Sequence, residues 1–228
     1  MSNVAIIPAR GGSKRIPRKN IRDFLGKPII AYSIETALES GLFDEVMVST
    51  DNNEIADIAR KYGAKIPFMR SNENADDHAT TIDVLVEVLH TYQQQETDFK
   101  NGCCIYPTAP LLKPFFIKSG YEKLINESFS TVFPVVEFSY PIQRSLKLRG
   151  KDKVEMNWPE YLDSRSQDLT KAYHDAGQFY WFNVEEILKE KKLFGNNSGA
   201  IVLPNISVQD IDTEEDWKMA EMKAKLIR

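Results

Sequence analysis

A short apolar run, Val4-Ala5-Ile6-Ile7, passes through Pro8 directly into the Gly11-Gly12 pair. Such a run, unbroken by alternation and ended by proline and glycine, predicts a buried parallel strand that feeds a loop. The pattern repeats. Ile30, Ile34, Ala37 and Leu38 recur at helical spacing, with Gly41 as the stop, and Glu45 to Ser49 reads as a second strand. Asp51 or Asn52 then caps a helix through Ile55, Ile58 and Ala59 that Gly63 ends. Ile82, Leu85, Val86 and Leu89 mark another helix, Cys103 to Tyr106 a strand, Phe116 to Ile125 a helix, and Thr131 to Phe133 a further strand. Strands alternating with helices imply an α/β protein with a mainly parallel sheet covered on both faces.

The rhythm breaks between about Glu137 and Ala176, where polar, aromatic and basic residues mix without a helical period and Arg149-Gly150-Lys151-Asp152 suggests a hairpin turn. This segment reads as a small inserted β lobe in a single domain spanning residues 1–228. Strand and helix signals return at Gln178 to Phe182, Val184 to Leu188 and Ile201 to Leu203, and a last helix starts near Asp212-Thr213-Glu214-Glu215.

Charge decides what the loop after the first strand means. The chain carries 29 Lys and Arg against 33 Asp and Glu, a net charge of −4, which argues against general binding to nucleic acid or an anionic membrane. Yet Ala9-Arg10-Gly11-Gly12-Ser13-Lys14-Arg15-Ile16-Pro17-Arg18-Lys19-Asn20 concentrates cations around two glycines. Glycine allows close backbone approach and aims amide N–H groups at phosphate oxygens, while Arg10 and Lys19 neutralise charge on a polyphosphate. A triphosphate is the natural ligand. Neither G-x-x-x-x-G-K-[ST] nor G-x-G-x-x-G is present, so a P-loop ATPase and a nicotinamide dehydrogenase both lose their main support. The two cysteines, Cys103 and Cys104, are neighbours pointing to opposite faces of a strand; they read as small buried hydrophobes of a protein in the reducing cytoplasm. No targeting or membrane-spanning segment is visible.

The basic loop resembles the signature of the CMP-sugar synthetases, the cytidylyltransferases that activate nonulosonic acids and Kdo. Ser49-Thr50-Asp51, Tyr106 to Leu111 and Asp210-Ile211-Asp212 follow in the family's order across nearly the whole chain. Phe68 to Ser71, Pro141 to Arg144, Ser164 to Leu169 and Ala172 to Trp181 look most like the pseudaminic acid branch. The resemblance implies a Rossmann-like nucleotide-diphospho-sugar transferase fold. It implies a nucleotide site formed by Ala9, Arg10, Gly11, Gly12, Ser13, Lys19 and Asn20, with Arg70, Ala79, Thr80 and Thr81 reading the cytosine edge. Arg70 as a surface cation and Thr80 or Thr81 as a helix cap are the alternatives.

Asp210 and Asp212 stand two residues apart, so in extended chain both carboxylates face one side. Either the pair holds a divalent cation, or Asp212 and Glu215 form a helix capping box. The resemblance favours Mg²⁺. For a sugar, it points to Tyr106, where sialic acid synthetases have Gln. A sugar carboxylate needs a cation, and the lobe offers Arg144 and Arg165. His174, Asp175 and Gln178 complete the sugar-site candidates. His90 reads as a surface residue and the Phe179 to Phe182 run as core. The family's two-fold dimer, crossed by this lobe, implies a homodimer with composite sites. The implied reaction joins CTP and a nine-carbon α-keto acid sugar, pseudaminic acid first, releasing pyrophosphate, with Arg10 and Lys19 catalytic. CMP-sialic acid or CMP-Kdo synthesis, and a non-catalytic nucleotide-binding regulator on the same scaffold, are the rival readings.

Overall fold

The structure is a computed structural model that describes residues 2–76 and 79–227; His78, which was given no ligand role, lies outside the described residues. The first part runs β1 (Asn3–Pro8), β2 (Asp23–Phe24), β3 (Lys27–Pro28), α1 (Ile29–Ser40), β4 (Glu45–Ser49) and α2 (Asn53–Lys61). The middle follows with α3 (Thr81–Gln94), β5 (Asn101–Ile105), α4 (Pro114–Asn126), β6 (Thr131–Glu137), and a hairpin of β7 (Leu146–Arg149) and β8 (Lys153–Met156). The chain ends with β9 (Tyr173–Asp175), β10 (Phe179–Asn183), α5 (Val184–Glu190), β11 (Ser198–Val202) and α6 (Glu214–Ile227).

The main sheet has the order β11-β6-β10-β5-β1-β4, with β9 also paired to β6. β1 is parallel to β4 and β5, and β11 is parallel to β6. β10 is antiparallel to both β5 and β6, and β9 is antiparallel to β6. Five strands therefore share one direction and two run against it, so the sheet is mainly parallel as the rhythm implied. The reversed direction of β10 was not foreseen. Its run Phe179-Tyr180-Trp181-Phe182 is buried on both faces, and a run of that kind reads the same in either direction.

Each face of the sheet carries its own core. Cys103, Phe179 and Trp181 meet Ile34 and Ala37 of α1, Ile55 and Ala59 of α2, and Ile117 and Leu124 of α4. Cys104, Tyr180 and Phe182 meet Leu85, Val88 and Leu89 of α3 and Ile187 of α5. The two thiols thus lie on opposite faces, both buried and unpaired. Helix ends follow the sequence cues: Gly41 takes the left-handed conformation after α1, Asn52 caps α2 by accepting from Ile55 N–H, and Thr80 forms a capping box with Asp83 on α3.

A smaller cluster matters most for function. Ile16 of the basic loop, Phe24, Ile29 and Leu111 pack against Ile211 and against Trp217, Ala220 and Ala224 of α6. This apolar contact joins the start of the chain to its end and carries Asp210 and Asp212 to the side of Lys19.

Candidate active site

The carboxyl ends of β1 and β5 open into a cavity of about 590 Å³, the usual place for a ligand in an open α/β sheet. Its lining includes Arg10, Ser13, Lys14, Arg15, Lys19 and Asn20 from the basic loop. Arg70, Ala79, Thr80, Thr81, Tyr106 and Thr108 line the remainder. Nine of the sequence candidates thereby meet around one space: Arg10, Ser13, Lys19, Asn20, Arg70, Ala79, Thr80, Thr81 and Tyr106.

The loop is held by bonds from its own side chains and to neighbouring segments. Asn20 Nδ2 donates to Arg10 O at 2.9 Å, and Arg10 Nη1 donates to Asp76 O at 2.8 Å. Gly11 N–H donates to Asp51 Oδ1 at 2.9 Å, and a Cβ on Gly11 would meet the Asn52 side chain at 3.1 Å. The glycine is there because α2's start presses against it. In this structure the Gly11 amide is thereby directed to a carboxylate. Gly11 and Gly12 border adjoining recesses rather than the main cavity. Ala9 is fully buried in the core with its N–H donated to Ser49 O, so its side chain is packing.

Arg70 is buried, not a surface cation. Its Nε donates to Ser49 Oγ at 3.0 Å and its Nη2 to Ser49 O at 2.6 Å, and burial lowers its pKa from the ordinary arginine value. A guanidinium kept out of water needs acceptors for its remaining N–H groups, which a ligand base in the cavity would supply. Thr80 is occupied as the α3 cap, whereas Thr81 Oγ1 lies 3.2 Å from the Tyr106 hydroxyl.

The late acidic pair stands beside the loop. Arg15 Nη1 is 2.6 Å from Asp212 Oδ2, Lys19 Nζ is 3.7 Å from Asp212 Oδ1, and Lys19 Nζ donates to Ile211 O at 2.6 Å. Burial, and then the nearby charge of Asp212, raise the Asp210 pKa. The capping alternative is corrected by one residue. Thr213 and Asp216 cap α6: Asp216 N–H donates to Thr213 Oγ1 at 3.2 Å, and Thr213 N–H to Asp216 Oδ2 at 2.8 Å. Neither Asp212 nor Glu215 is needed for that, although the pattern [ST]-x-x-[DE] at Thr213 to Asp216 was legible.

With capping discharged by other residues, two mutually repelling carboxylates next to a basic pocket fit a hard divalent cation. Among the described residues no group of three or more His, Cys, Asp or Glu forms a metal site, so phosphate and water oxygens would complete the shell.

The sugar candidates spread over a wider area. Tyr106 lines the cavity, and its ring meets that of Tyr180 at 5.4 Å. Asp175 is exposed and accepts from Gly177 N–H at 2.9 Å; His174 Nδ1 lies 2.8 Å from Asp175 O. Gln178 is only 2% exposed: its Nε2 donates to Ser207 O at 2.7 Å, and its Oε1 is buried without a partner. Arg144 and Arg165 lie on the lobe, outside the cavity lining, where Arg165 Nε bonds Asp168 Oδ2 at 2.7 Å. From sequence, Asp51 reads only as a helix-cap candidate and a member of the Ser49-Thr50-Asp51 motif, Tyr180 only as core and Arg15 only as one of the loop's cations, and the Thr213–Asp216 cap is missed.

A sheet of this topology, a basic loop after its first strand and a carboxylate pair beside that loop define a Rossmann-like nucleotidyltransferase. The solved structure of CMP:2-keto-3-deoxy-manno-octonic acid synthetase complexed with CTP matches with a TM-score of 0.72 at 17% identity, covering 100% of both chains. The 4-diphosphocytidyl-2C-methyl-D-erythritol synthase of Anaerococcus prevotii matches with a TM-score of 0.65 at 16% identity, covering 100% of this chain and 99% of its own. In sequence, residues 4–197 match the cytidylyltransferase family, and the chain belongs to that family. It is 49% identical over 226 residues to the pseudaminic acid cytidylyltransferase of Campylobacter jejuni subsp. jejuni serotype O:2, covering 99% of this chain and 97% of that one. It is 33% identical to the CMP-N,N'-diacetyllegionaminic acid synthase of Legionella pneumophila, with the same coverage.

Proposed function

We propose that this protein transfers CMP from CTP to the anomeric hydroxyl of a nonulosonic acid, pseudaminic acid, and releases pyrophosphate. The observation that carries the reading is the convergence of Arg10, Lys19 and buried Arg70 on one cavity, in a chain 49% identical to a pseudaminic acid cytidylyltransferase over nearly its full length. Arg70 and the Ala79–Thr81 turn hold the base. Arg10 and Lys19 hold the triphosphate and neutralise the charge that builds on departing pyrophosphate. Asp210 and Asp212 would hold Mg²⁺, which would supply Lewis-acid charge neutralisation for the transferring phosphoryl group and the attacking hydroxyl. The rest of the rate comes from alignment, which a cavity with a pre-anchored loop supplies.

Tyr106 supports the choice of sugar, since its ring offers an apolar face where a carboxamide would demand polar partners. A homodimer belongs to the same proposal. The β7–β8 hairpin presents Leu146, Leu148 and Val154 to solvent on one face, and Arg165 lies on the same lobe. A two-stranded hairpin is marginal alone, and a second copy covering that face would bring Arg165 toward the neighbouring cavity. The cytoplasm is the proposed compartment, supported by two buried unpaired thiols; no helix among the described residues is long and apolar enough to cross a membrane.

The test is pyrophosphate release from CTP with Mg²⁺ and a panel of pseudaminic, legionaminic, sialic and Kdo sugars under one set of conditions. The expected result is the highest kcat/KM for pseudaminic acid. Preference for another sugar would move the substrate assignment within the family, and no release with any sugar would remove the activity.

A further inference from the structure

Between β9 and β10 the chain breaks its pairing with β6. Asp175 faces Val135 across the ladder, whereas Trp181 faces Val132, so the register slips by three residues over this stretch. The slack is taken up at Ala176-Gly177-Gln178, where Gly177 has φ +60°, a conformation that glycine adopts without strain. This bulge sits at the cavity end of the sheet, because Tyr106 N–H donates to Gln178 O at 2.9 Å immediately after β5. Bulges at such places re-aim a side chain. The side chain re-aimed here is Asp175.

Its carboxylate is fixed from two directions. Gly177 N–H donates to Oδ1, and the Tyr180 hydroxyl donates to Oδ2. Tyr180 is 2% exposed, wedged by its ring against Tyr106, Phe133 and Phe194, so its hydroxyl has little freedom to swing away. A carboxylate has about four acceptor positions. Two are used, and the rest are free for donors arriving from solvent.

We infer that Tyr180 is a positioning residue for the sugar: it holds the exposed Asp175 carboxylate at the bulge so that Asp175 accepts hydrogen bonds from hydroxyl or amide N–H groups of the incoming sugar. The inference rests on the proposed cytidylyl transfer and adds to it a residue that acts through Asp175. The geometry separates two tasks that sequence runs together. In the FYWF run, Phe179, Trp181 and Phe182 are packing, while Tyr180 alone couples the core to an exposed acceptor through Asp175. Phenylalanine would fill the same space and lose the hydroxyl's contacts with Asp175 and with the Tyr106 side chain, of which the Asp175 background isolates the first.

The experiment compares Tyr180→Phe, Asp175→Asn and the double variant, with KM for CTP and for the sugar measured separately and thermal midpoints recorded. Loss of one hydrogen bond to a charged group predicts that Tyr180→Phe raises the sugar KM about tenfold while the CTP KM changes by less than about twofold. In the Asp175→Asn background the Tyr180 change should add less than about twofold, because its partner is already altered. Additive effects in the double variant, or equal effects on both KM values, would show a merely structural tyrosine and overturn the inference. Should Tyr180→Phe fail to fold, Asp175→Asn decides alone: an unchanged sugar KM refutes the inference, and a selective rise supports it. A wild-type protein that makes no pyrophosphate with any sugar refutes the underlying activity, whereas an active wild type with a silent Tyr180→Phe refutes only this step.

Discussion

Along β1, Val4 to Ile7 are wholly buried, whereas along the β7–β8 hairpin Leu146, Leu148 and Val154 stand 59%, 75% and 58% exposed. Both segments carry apolar residues; what differs is the presence of something to cover them. β1 is flanked by β4 and β5 and roofed by helices on both faces. The hairpin pairs Leu146 with Met156 and Leu148 with Val154, which puts four apolar residues on one face, and Lys147, Arg149 and Glu155 form ion pairs on the other. A face so patterned is what the proposed dimer would cover. The body of the molecule buries its own apolar residues, whereas the hairpin leaves its own exposed. The site candidates divide in the same way: most of those proposed for the nucleotide line one cavity, and Arg144 and Arg165 lie on the lobe outside that lining.

The largest expected effect tests the body. Asp210→Asn and Asp212→Asn should each lower kcat by on the order of 10²–10³, since they weaken a group aimed at transition-state charge. Stability should move little, and for Asp210 it should rise. Its folded pKa is raised, so its contribution is fully present below the ordinary carboxylate pKa and is lost as pH climbs through the raised one. At neutral pH the ionised group therefore opposes folding, and Asn relieves that. Steady-state kinetics with saturating Mg²⁺ beside a thermal melt decides the matter: full activity in both variants would end the metal assignment.

The next effect tests the lobe. Leu148→Lys places a charge in the middle of the exposed apolar face and should convert dimer to monomer by light scattering, with the thermal midpoint of the body held within a few degrees. Arg10→Ala and Arg165→Ala should each lose about 10- to 100-fold in kcat/KM, from one charge-assisted contact apiece. Co-assembled, the two weakened chains should regain wild-type activity at one of the two sites only if those residues serve a site from different subunits. Absence of recovery in verified mixed dimers would put Arg165 in its own chain's site, or in none.

How much of this was legible follows the same division. Runs such as Val4 to Ile7 and caps such as Asn52 and Thr80 are local signals, and the elements they predict are present. The cations of the loop stood out because the rest of the chain is acidic. What the sequence concealed was contact at long range and direction. Lys19 and Ile211 are 192 positions apart and meet because Ile16, Ile211 and Trp217 share a cluster, which no periodicity encodes. The reversal of β10 and the bulge at Gly177 were hidden because a doubly buried strand shows no face. The burial of Gln178 and of Arg70 was hidden for a related reason: a polar residue reads as exposed until the structure supplies its partners.

The smallest effect distinguishes neighbours in the acidic segment. The Thr213 hydroxyl donates to Asp216 Oδ2 at 2.7 Å and accepts from Asp216 N–H, and hydrogen bonding by Thr213 lowers the Asp216 pKa. The stabilisation from that carboxylate is therefore present above the ordinary carboxylate range and is lost as pH falls through its lowered value. Thr213→Ala should cost about 1 kcal/mol, a drop of roughly 2–4 °C in a domain of this size. Glu215→Gln should cost nothing measurable, since Asp216 and not Glu215 reaches back to the cap. Activity should survive in both variants, because the loss of one cap bond leaves in place the Ile16–Ile211–Trp217 cluster that sets the acidic pair beside the loop. A melt of Glu215→Gln that fell as far as that of Thr213→Ala would restore the capping box to Asp212 and Glu215, and Asp212 would then owe its place to the helix rather than to a metal.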